Sequence, residues 1–383
     1  MKSFDKAQDL RVALVHDYIK EYGGAERVLE ALHEIWPDAP VFTSVYLPEF
    51  LGPHKERFKT WDIRSSFLQD IPFVGKLISP IRLIAPLVFR NFDFSKFDVV
   101  IVSSTGAYSK MITTKYLTHS AIQVVYCHTP PRYLYGYATA REWKNNLILR
   151  VLGEAANHFL RLVDFKSTQN VDFFIANSLN IKSRIEKFYR RDATVIYPPV
   201  DTAKLNASLL DTRRYFLAGG RIAKPKHIDL IVKTFAKLGL LLKVFGRTFA
   251  GHDSLFMIHN SNIEFVGEVS DEKKLELMTQ AKAFVFAAED EDFGITPVEA
   301  MGMGTPVIAY KSGGVLETVI NGKTGLFFNK LSVKSLSAAI KEFEKEKFDR
   351  ELIVKHAEKF GKERFKKEIK EFVESKYGNA KKN

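Results

Sequence analysis

The stretch AFVFAAEDEDFGITPVEAMGMGTPVIAY, residues 283–310, contains a complete strand, loop, helix and strand pattern. Its first six residues are apolar and have the length of a strand, and a second apolar run, 306–310, closes it. Between them lie a polar loop and a helical segment that carries Glu299. Two apolar strands joined through a helix are typical of a parallel sheet buried on both faces. The stretch therefore predicts an α/β domain.

The same alternation of strands and helices occurs on both sides of this stretch. Upstream in the second half, we predict strands at 214–220, 240–246 and 262–267 and helices at about 228–238 and 271–281. In the first half, we predict strands at 11–16, 98–104, 121–128 and 171–178 and helices at 25–36 and 179–189. The repeated pattern predicts two doubly wound sheets.

Two adjacent prolines, Pro198 and Pro199, interrupt the pattern in the middle of the chain. We therefore predict an N-terminal acceptor-binding domain over residues 1–198 and a C-terminal donor-binding domain over 199–361. A helix at about 362–383 would pack back on the first domain. Open α/β sheets bind ligands at the carboxyl ends of their strands, so we expect both sheets to face a shared cleft.

Composition excludes several classes of protein. Hydrophobic residues make up 46% and charged residues 27% of the 383 residues, which is typical of a soluble globular protein. The single cysteine, Cys127, excludes an internal disulfide framework and a multi-cysteine metal site. The N-terminus is polar and no apolar run reaches about 18 residues, so we expect a cytoplasmic protein without a membrane span.

The formal net charge of +12 indicates an anionic partner. Residues 64–94 are rich in large apolar side chains, carry scattered Arg and Lys and contain three prolines. This segment forms either short packed helices or a basic apolar surface that enters the interface of an anionic membrane, which would place the protein peripherally at the inner face of the plasma membrane. Basic residues are not interleaved with aromatic ones as a stacking platform requires, so we expect no nucleic-acid binding.

Glycine-rich and basic loops follow two of the predicted strands. Gly23 and Gly24 lie after the first strand and before a helix, where bare backbone amides suit a phosphate. In GGRIAKPKHIDL, residues 219–230, Arg221 and Lys226 lie between a strand and a helix. Arginine offers a planar fork and lysine a compact charge, so the pair suits a leaving diphosphate.

Two glutamates in the 283–310 stretch suit a nucleotide sugar. Glu299 on the helix can accept hydrogen bonds from vicinal ribose hydroxyls, and Glu291 in the loop can hold a hydroxyl of the donor sugar. The backbone amides near the start of this helix suit a diphosphate. They belong to Phe293, Gly294, Ile295 and Thr296.

These motifs together resemble the large family of retaining GT-B glycosyltransferases, and the resemblance covers nearly the whole chain. In that family the arginine and lysine of a GR-x4-K motif hold the donor diphosphate, which selects Lys226 over Lys224. The first glutamate of an E-x7-E motif meets the donor sugar and the second meets the ribose. The resemblance thus implies a GT-B fold with two Rossmann-like domains facing across a cleft.

The stretch YCHTPPRYLYG, residues 126–136, resembles bacterial O-antigen and exopolysaccharide enzymes within that family, often mannosyltransferases that use GDP-mannose. The resemblance implies that His128 lies beside the transferred sugar. It also implies that SGGVLETV (312–319) and NGKTGLFF (321–328) close the donor pocket, with Glu317 in a structural role. We also predict Gly246, Arg247 and Val269 as donor-binding residues.

The predicted reaction is transfer of a hexose from a nucleotide sugar to a glycan or lipid-linked acceptor, without a metal or other cofactor. Retention through front-face attack is preferred over a covalent intermediate, because neither motif glutamate is expected beneath the anomeric carbon. UDP-glucose and UDP-galactose remain alternative donors. A catalytically silent, membrane-associated scaffold is the alternative outside enzymes, and the intact motif residues argue against it.

Overall fold

The computed structural model describes residues 10–75, 77, 84–106, 109–112, 121–139, 147–202, 214–248 and 260–381. Contacts within the chain divide it into two compact units. The first unit comprises Met1–Gly136, Asn146–Pro199 and Glu363–Asn383, and the second comprises Tyr137–Asn145 and Val200–Lys362. The division between the large segments therefore falls directly after the two prolines.

The first unit contains a parallel sheet of seven strands in its described part. Their order across the sheet is β3-β2-β1-β4-β5-β6-β7. The strands are β1 (Val12–His16), β2 (Val41–Thr43), β3 (Ile63–Ser65), β4 (Val99–Ser104), β5 (Ile122–Cys127), β6 (Phe173–Ala176) and β7 (Thr194–Val195). The helices are α1 (Gly24–Ile35), the single turn α2 (Ala85–Val88), α3 (Leu147–Gln169) and α4 (Leu179–Tyr189).

The described part of the second unit contains a parallel sheet of six strands in the order β10-β9-β8-β11-β12-β13. The strands are β8 (Tyr215–Gly219), β9 (Leu242–Phe245), β10 (Ile263–Gly267), β11 (Ala281–Phe286), β12 (Val307–Tyr310) and β13 (Gly325–Phe328). The helices are α5 (Ile228–Leu238), α6 (Asp271–Thr279), α7 (Ile295–Gly302), α8 (Val315–Thr318), α9 (Val333–Phe343) and α10 (Arg350–Ala357). The last helix of the chain, α11 (Lys362–Ala380), belongs mainly to the first unit.

The side chains of each strand point alternately to the two faces of the sheet, so the first unit has two separate hydrophobic cores. Ala13 and Val15 of β1 face one core, while Val12 and Leu14 face the other. Successive side chains of a strand point to opposite faces, so a strand that is apolar throughout requires cover on both. Helix α11 supplies part of that cover, and its buried residues are Phe365, Ile369, Val373 and Tyr377.

The fold class predicted from the sequence is confirmed: both sheets are parallel and Rossmann-like. The long apolar runs form strands where predicted, and α5 has the predicted bounds. Helix α6 ends at Thr279, two residues before the predicted end. Strands β2, β3, β7 and β13 were not predicted. Residues 76 and 78–83 of the 64–94 segment lie outside the described residues, and the segment's described part includes β3 and α2.

A buried ion pair joins the loop after β4 to helix α3. The Lys110 ammonium lies 2.6 Å from an oxygen of Asp164, and both side chains are almost completely inaccessible to solvent. Lys110 also donates to the Tyr189 hydroxyl at 2.6 Å, and the Tyr135 hydroxyl donates to Asp164 at 2.8 Å. Burial raises the pKa of the Tyr189 hydroxyl well above its usual value. Each charge is therefore compensated inside the core.

We expect Lys110→Met to lower the free energy of unfolding by about 3–5 kcal/mol, because it leaves the Asp164 carboxylate buried without its cation. Urea unfolding followed by circular dichroism measures the loss. Lys182→Met is the matched control, since Lys182 forms a pair with Asp192 at the surface and should contribute less than about 1 kcal/mol. Equal effects of the two substitutions would contradict a structural role for the buried pair.

Candidate donor site

Glycines allow the ends of β8 and β9 to pack backbone against backbone. A Cβ on Gly219 would lie 2.4 Å from the carbonyl oxygen of Phe245, and one on Gly246 would lie 1.8 Å from that of Gly220. Gly246 also has φ +124°, which disfavours any other residue. Its amide donates to the carbonyl oxygen of Gly267 at 2.7 Å. The structure therefore places Gly246 in the packing between strand ends, with its amide already used.

The two basic residues of the GR-x4-K motif lie in the turn between β8 and α5. Arg221 is exposed, whereas Lys226 is half-buried and forms an ion pair with the Glu291 carboxylate. The Lys226 ammonium also lies 4.9 Å from the ring centre of Phe286 at the end of β11. Lys224 is exposed. Lys226 thus connects the basic turn to the glutamate motif.

The glutamate loop is held on two sides. The Glu289 amide donates to the Pro225 carbonyl oxygen at 2.8 Å, which ties it to the basic turn. The Gly314 amide donates to the Glu291 carbonyl oxygen at 2.7 Å. A Cβ on Gly314 would lie only 2.4 Å from the Cα of Phe293, so the 312–319 stretch lies against the loop. The loop's position is therefore set by backbone contacts from both neighbours.

Helix α7 starts directly after this loop. Gly294 has φ +94° and turns the chain into the helix. Ile295 and Thr296 form its first turn and are half-buried, while Phe293 is buried against Phe360. The first amides of a helix have no partner within the helix and carry partial positive charge. This end of α7 thus has the features that favour an anion.

Glu299 lies on the buried face of α7 and is only 3% exposed. One of its carboxylate oxygens accepts a hydrogen bond from the Lys274 ammonium at 2.9 Å, and Lys274 also contacts Asp271 at 3.0 Å. The sequence analysis missed Lys274, which lies in the charged stretch of α6 and has no motif around it. A half-buried cation therefore supports the carboxylate that the sequence assigns to the ribose.

Three other predicted residues lie near strand ends of the second unit. Arg247 is exposed after β9, and its carbonyl oxygen accepts from the Ile222 amide at 2.9 Å. Val269 is half-buried and lies one residue before Ser270, which caps α6. Glu317 lies in α8 and is half-buried.

A second polar group lies at the strand ends of the first unit. His128, which follows β5, is nearly buried, and its Nε2 lies 2.8 Å from the Ser103 hydroxyl of β4. Burial, with a smaller contribution from nearby His16, lowers the pKa of His128 to about 3. His128 is therefore neutral over the physiological pH range.

Gly23 caps the start of α1, and Gly24 is its first residue. The Gly23 amide donates to the Glu26 carboxylate at 2.8 Å, so this amide is engaged within the turn. Among the described residues, no group of three or more His, Cys, Asp or Glu side chains is placed to hold a metal ion.

Family models match most of the chain. The model of glycosyl transferases group 1 matches residues 201–367, and that of glycosyltransferase family 4 matches residues 22–204. Together they contain every predicted site residue. The chain belongs to the retaining GT-B glycosyltransferases.

Curated relatives of this glycosyltransferase include mannosyltransferases. It is 25% identical over 298 residues to the alpha-1,3/1,6-mannosyltransferase ALG2 of Dictyostelium discoideum, covering 65% of this chain and 67% of the relative. The corresponding ALG2 protein of Rhizomucor pusillus is also 25% identical, with 62% of its length covered. The O-antigen chain mannosyltransferase RfbU of Salmonella typhimurium is 30% identical over 196 residues, which is 49% of this chain and 55% of the relative.

Solved structures share the fold over almost the full length. The Anabaena protein HepE in complex with UDP-glucose has a TM-score of 0.65 at 17% identity, covering 95% of this chain and 99% of that one. The lipopolysaccharide outer core galactosyltransferase WaaB has a TM-score of 0.64 at 15% identity, with 95% and 99% coverage. These similarities establish the GT-B fold.

The low pKa of His128 predicts a pH-dependent loss of stability. The unfolded chain takes up a proton on this residue near pH 6.5, whereas the folded chain does not do so until about pH 3. Because the unfolded state then binds more protons, the free energy of unfolding should fall as the pH decreases below 6.5, by about 2 kcal/mol between pH 7 and 5. Urea unfolding at both pH values measures this slope. His128→Gln should remove that part of it; an identical slope in the variant would show that His128 titrates normally.

Proposed function

We propose that this glycosyltransferase moves mannose from GDP-mannose to a glycan or polyprenyl-linked acceptor in surface polysaccharide assembly, with retention of configuration. The observation that carries the proposal is the ion pair between Lys226 and Glu291. It joins the two motifs that the sequence assigns to the diphosphate and to the sugar. The mannosyltransferases among the relatives favour mannose, and RfbU favours a bacterial O-antigen type of acceptor.

The Lys226–Glu291 pair suits an exchange of partners when donor binds. Without donor, the carboxylate compensates the ammonium, so neither half-buried charge is isolated. A diphosphate brings more negative charge than one carboxylate and would draw Lys226 toward its oxygens. Glu291 would then accept a hydroxyl of the sugar. Lys226, the exposed Arg221 and the start of α7 would together stabilise the charge that develops on the leaving diphosphate.

Front-face attack is the proposed route to retention. A covalent intermediate requires a carboxylate at the anomeric carbon. In this proposal Glu291 is assigned to a sugar hydroxyl and Glu299 to the ribose, so neither provides that nucleophile. The leaving phosphate would accept the proton of the acceptor hydroxyl, and the protein would act mainly by positioning the reactants.

A donor screen tests the proposed substrate. Purified protein is incubated with GDP-mannose, UDP-glucose or UDP-galactose, with and without a lipid-linked acceptor, and the released nucleoside diphosphate is measured. We expect GDP release that depends on the acceptor. Release of UDP in place of GDP would establish a UDP-sugar as the donor. UDP-glucose is included because the Anabaena protein HepE has been solved in complex with it. Donor binding without turnover under all conditions would favour the scaffold.

Substitutions in the basic turn test the diphosphate assignment. Arg221→Ala and Lys226→Ala should each lower kcat by about 10²- to 10³-fold, because each removes a preorganised charge from the leaving group. Lys224→Ala, in the same turn, is the control and should retain wild-type turnover. Glu299→Ala should raise KM more than it lowers kcat, since its ribose contact is present in ground and transition states alike. Near-native turnover of both the Arg221 and Lys226 variants would refute the placement of the diphosphate.

We further propose that the protein works at the cytoplasmic surface of an anionic membrane. Helix α3 presents large apolar side chains to solvent, and they are Leu147, Val151, Leu152, Phe159 and Leu162. The 64–94 segment adds Phe67, Phe73 and Leu87. Among the described helices, none is long and apolar enough to cross a membrane. Exposed apolar side chains on a chain of net charge +12 fit an interfacial contact with anionic lipid.

Vesicle co-sedimentation tests this contact. The protein should bind vesicles that contain anionic lipid and lose that binding as salt increases. The double substitution Val151→Asp and Phe159→Asp should weaken binding at least tenfold, because burial of each apolar side chain contributes about 1.5–3 kcal/mol. Leu352→Asp, at an exposed leucine of α10, is the control and should leave binding unchanged. Equal binding by the double variant and the wild type would exclude α3 as the contact.

A further inference from the structure

A continuous line of polar atoms connects the start of α1 to His128 inside the first unit. The Gly23 amide donates to Glu26 at 2.8 Å, and the other oxygen of Glu26 lies 3.5 Å from Nε2 of His16. Nδ1 of His16 lies 3.1 Å from the Ser103 hydroxyl oxygen, which in turn lies 2.8 Å from Nε2 of His128. The side chains of Glu26, His16 and Ser103 are buried. The sequence motifs assign no role to these three residues.

The chemistry of these groups decides which atom donates and which accepts at each contact in the line. A carboxylate attracts an N–H group and repels a nitrogen lone pair, so Glu26 favours the proton of the His16 ring on the nitrogen that faces it. A charge-assisted bond between imidazolium and carboxylate is normally 2.7–2.9 Å long. The observed contact of 3.5 Å is longer than such a bond, so the proposal takes His16 as neutral, with no proton on Nδ1. That nitrogen must accept from the Ser103 hydroxyl.

The Ser103 hydroxyl has a single proton, and it donates that proton to Nδ1 of His16. Its oxygen can only accept from the second imidazole, so Nε2 of His128 is the donor. A neutral His128 with a proton on Nε2 has none on Nδ1. At that atom the ring can only accept a hydrogen bond. Lack of solvent and the low pKa of His128 both oppose a second proton on the ring.

We propose that Glu26, His16 and Ser103 are positioning residues that hold His128 in the Nε2–H tautomer, so that its Nδ1 accepts a hydrogen bond from a hydroxyl of the donor sugar. The sugar contact rests on the proposed function, whereas the tautomer does not. The α1 turn with Gly23 and His128 are therefore connected through one line of polar contacts. A donor that lacks the recognised hydroxyl would leave the acceptor atom unpaired.

Asp17 is a charged residue close to His128. Asp17 acts on the pKa of His128 in the opposite direction to burial and to His16. Its carboxylate accepts from the amide and hydroxyl of Thr105, both at 2.7 Å, and from the Ser109 amide at 2.9 Å. These three hydrogen bonds hold the Asp17 carboxylate in place. Glu26 is the carboxylate that faces the His16 end of the line.

Nitrogen NMR of the whole protein reports the tautomers directly. The chain is labelled with ¹⁵N-histidine, and long-range ¹H–¹⁵N correlations are recorded at pH 7.5, with His16 and His128 assigned from His16→Gln and His128→Gln. We expect both rings to be neutral and protonated on Nε2. Ser103→Ala should convert His128 to a mixture of tautomers, while the neighbouring buried Ser104→Ala should leave the wild-type signal.

A wild-type spectrum with His128 protonated on Nδ1, or with His16 protonated on both nitrogens, would overturn the assigned direction. Only the wild-type protein and the two variants used for assignment have to fold for this test. If Ser103→Ala folds and keeps the pure Nε2–H tautomer, Ser103 is not the group that sets it. Ser103→Thr keeps the hydroxyl and should restore the wild-type tautomer.

Kinetics separate the sugar contact from a purely structural role. Ser103→Ala should lower kcat/KM for the donor about 3- to 10-fold, the effect of one neutral hydrogen bond, without changing the affinity for free GDP. Equal losses in donor turnover and GDP affinity would indicate a structural effect and overturn the sugar contact. Absence of turnover by the wild-type protein with every donor would refute the proposed function itself, and the NMR spectrum would still decide the tautomer.

Discussion

The Lys226–Glu291 ion pair depends on a constraint that governs the whole second unit, which is that adjacent parallel strands end at the same edge of a sheet. Strands β8 and β11 are neighbours, so the loops that follow them meet although the two residues lie 65 positions apart. Glycines at Gly219, Gly246 and Gly314 let the surrounding backbones approach closely. Larger residues there would separate the loops and with them the two charges.

In the first unit, neighbouring parallel strands also end at the same edge of the sheet, but the side chains that meet there are different. Strands β1, β4 and β5 are consecutive in the sheet, and each contributes one member of the line His16, Ser103 and His128. In the second unit the strand ends bring an ammonium and a carboxylate together, whereas in the first they bring together two imidazoles and a hydroxyl in a buried setting. The basic residues of the second unit suit a diphosphate, and the buried donors and acceptors of the first unit suit sugar hydroxyls. The division agrees with the roles proposed for the two groups.

The sequence predicted the elements and residues whose signals are local. Six-residue strands that are mostly apolar, such as β4, β5 and β11, are recognisable by themselves. Motif spacing selected Arg221, Lys226 and both glutamates as candidate site residues. The two- and three-residue strands β2, β3 and β7 are too short to show a period. The supporting residues Glu26, Ser103 and Lys274 were missed, because their partners are fixed by strand order. His16 and Ser103 lie 87 positions apart, and no linear pattern indicates that they touch.

The central claim is that the turn after β8 and the start of α7 together hold the diphosphate of the donor. A crystal structure of the protein with GDP bound is the most direct measurement of it. The account predicts phosphate oxygens within hydrogen-bonding distance of Arg221 and Lys226, with the ribose hydroxyls on Glu299 and the Lys226–Glu291 pair separated. A nucleotide bound away from these residues, or one whose phosphates leave that ion pair unchanged, would contradict it.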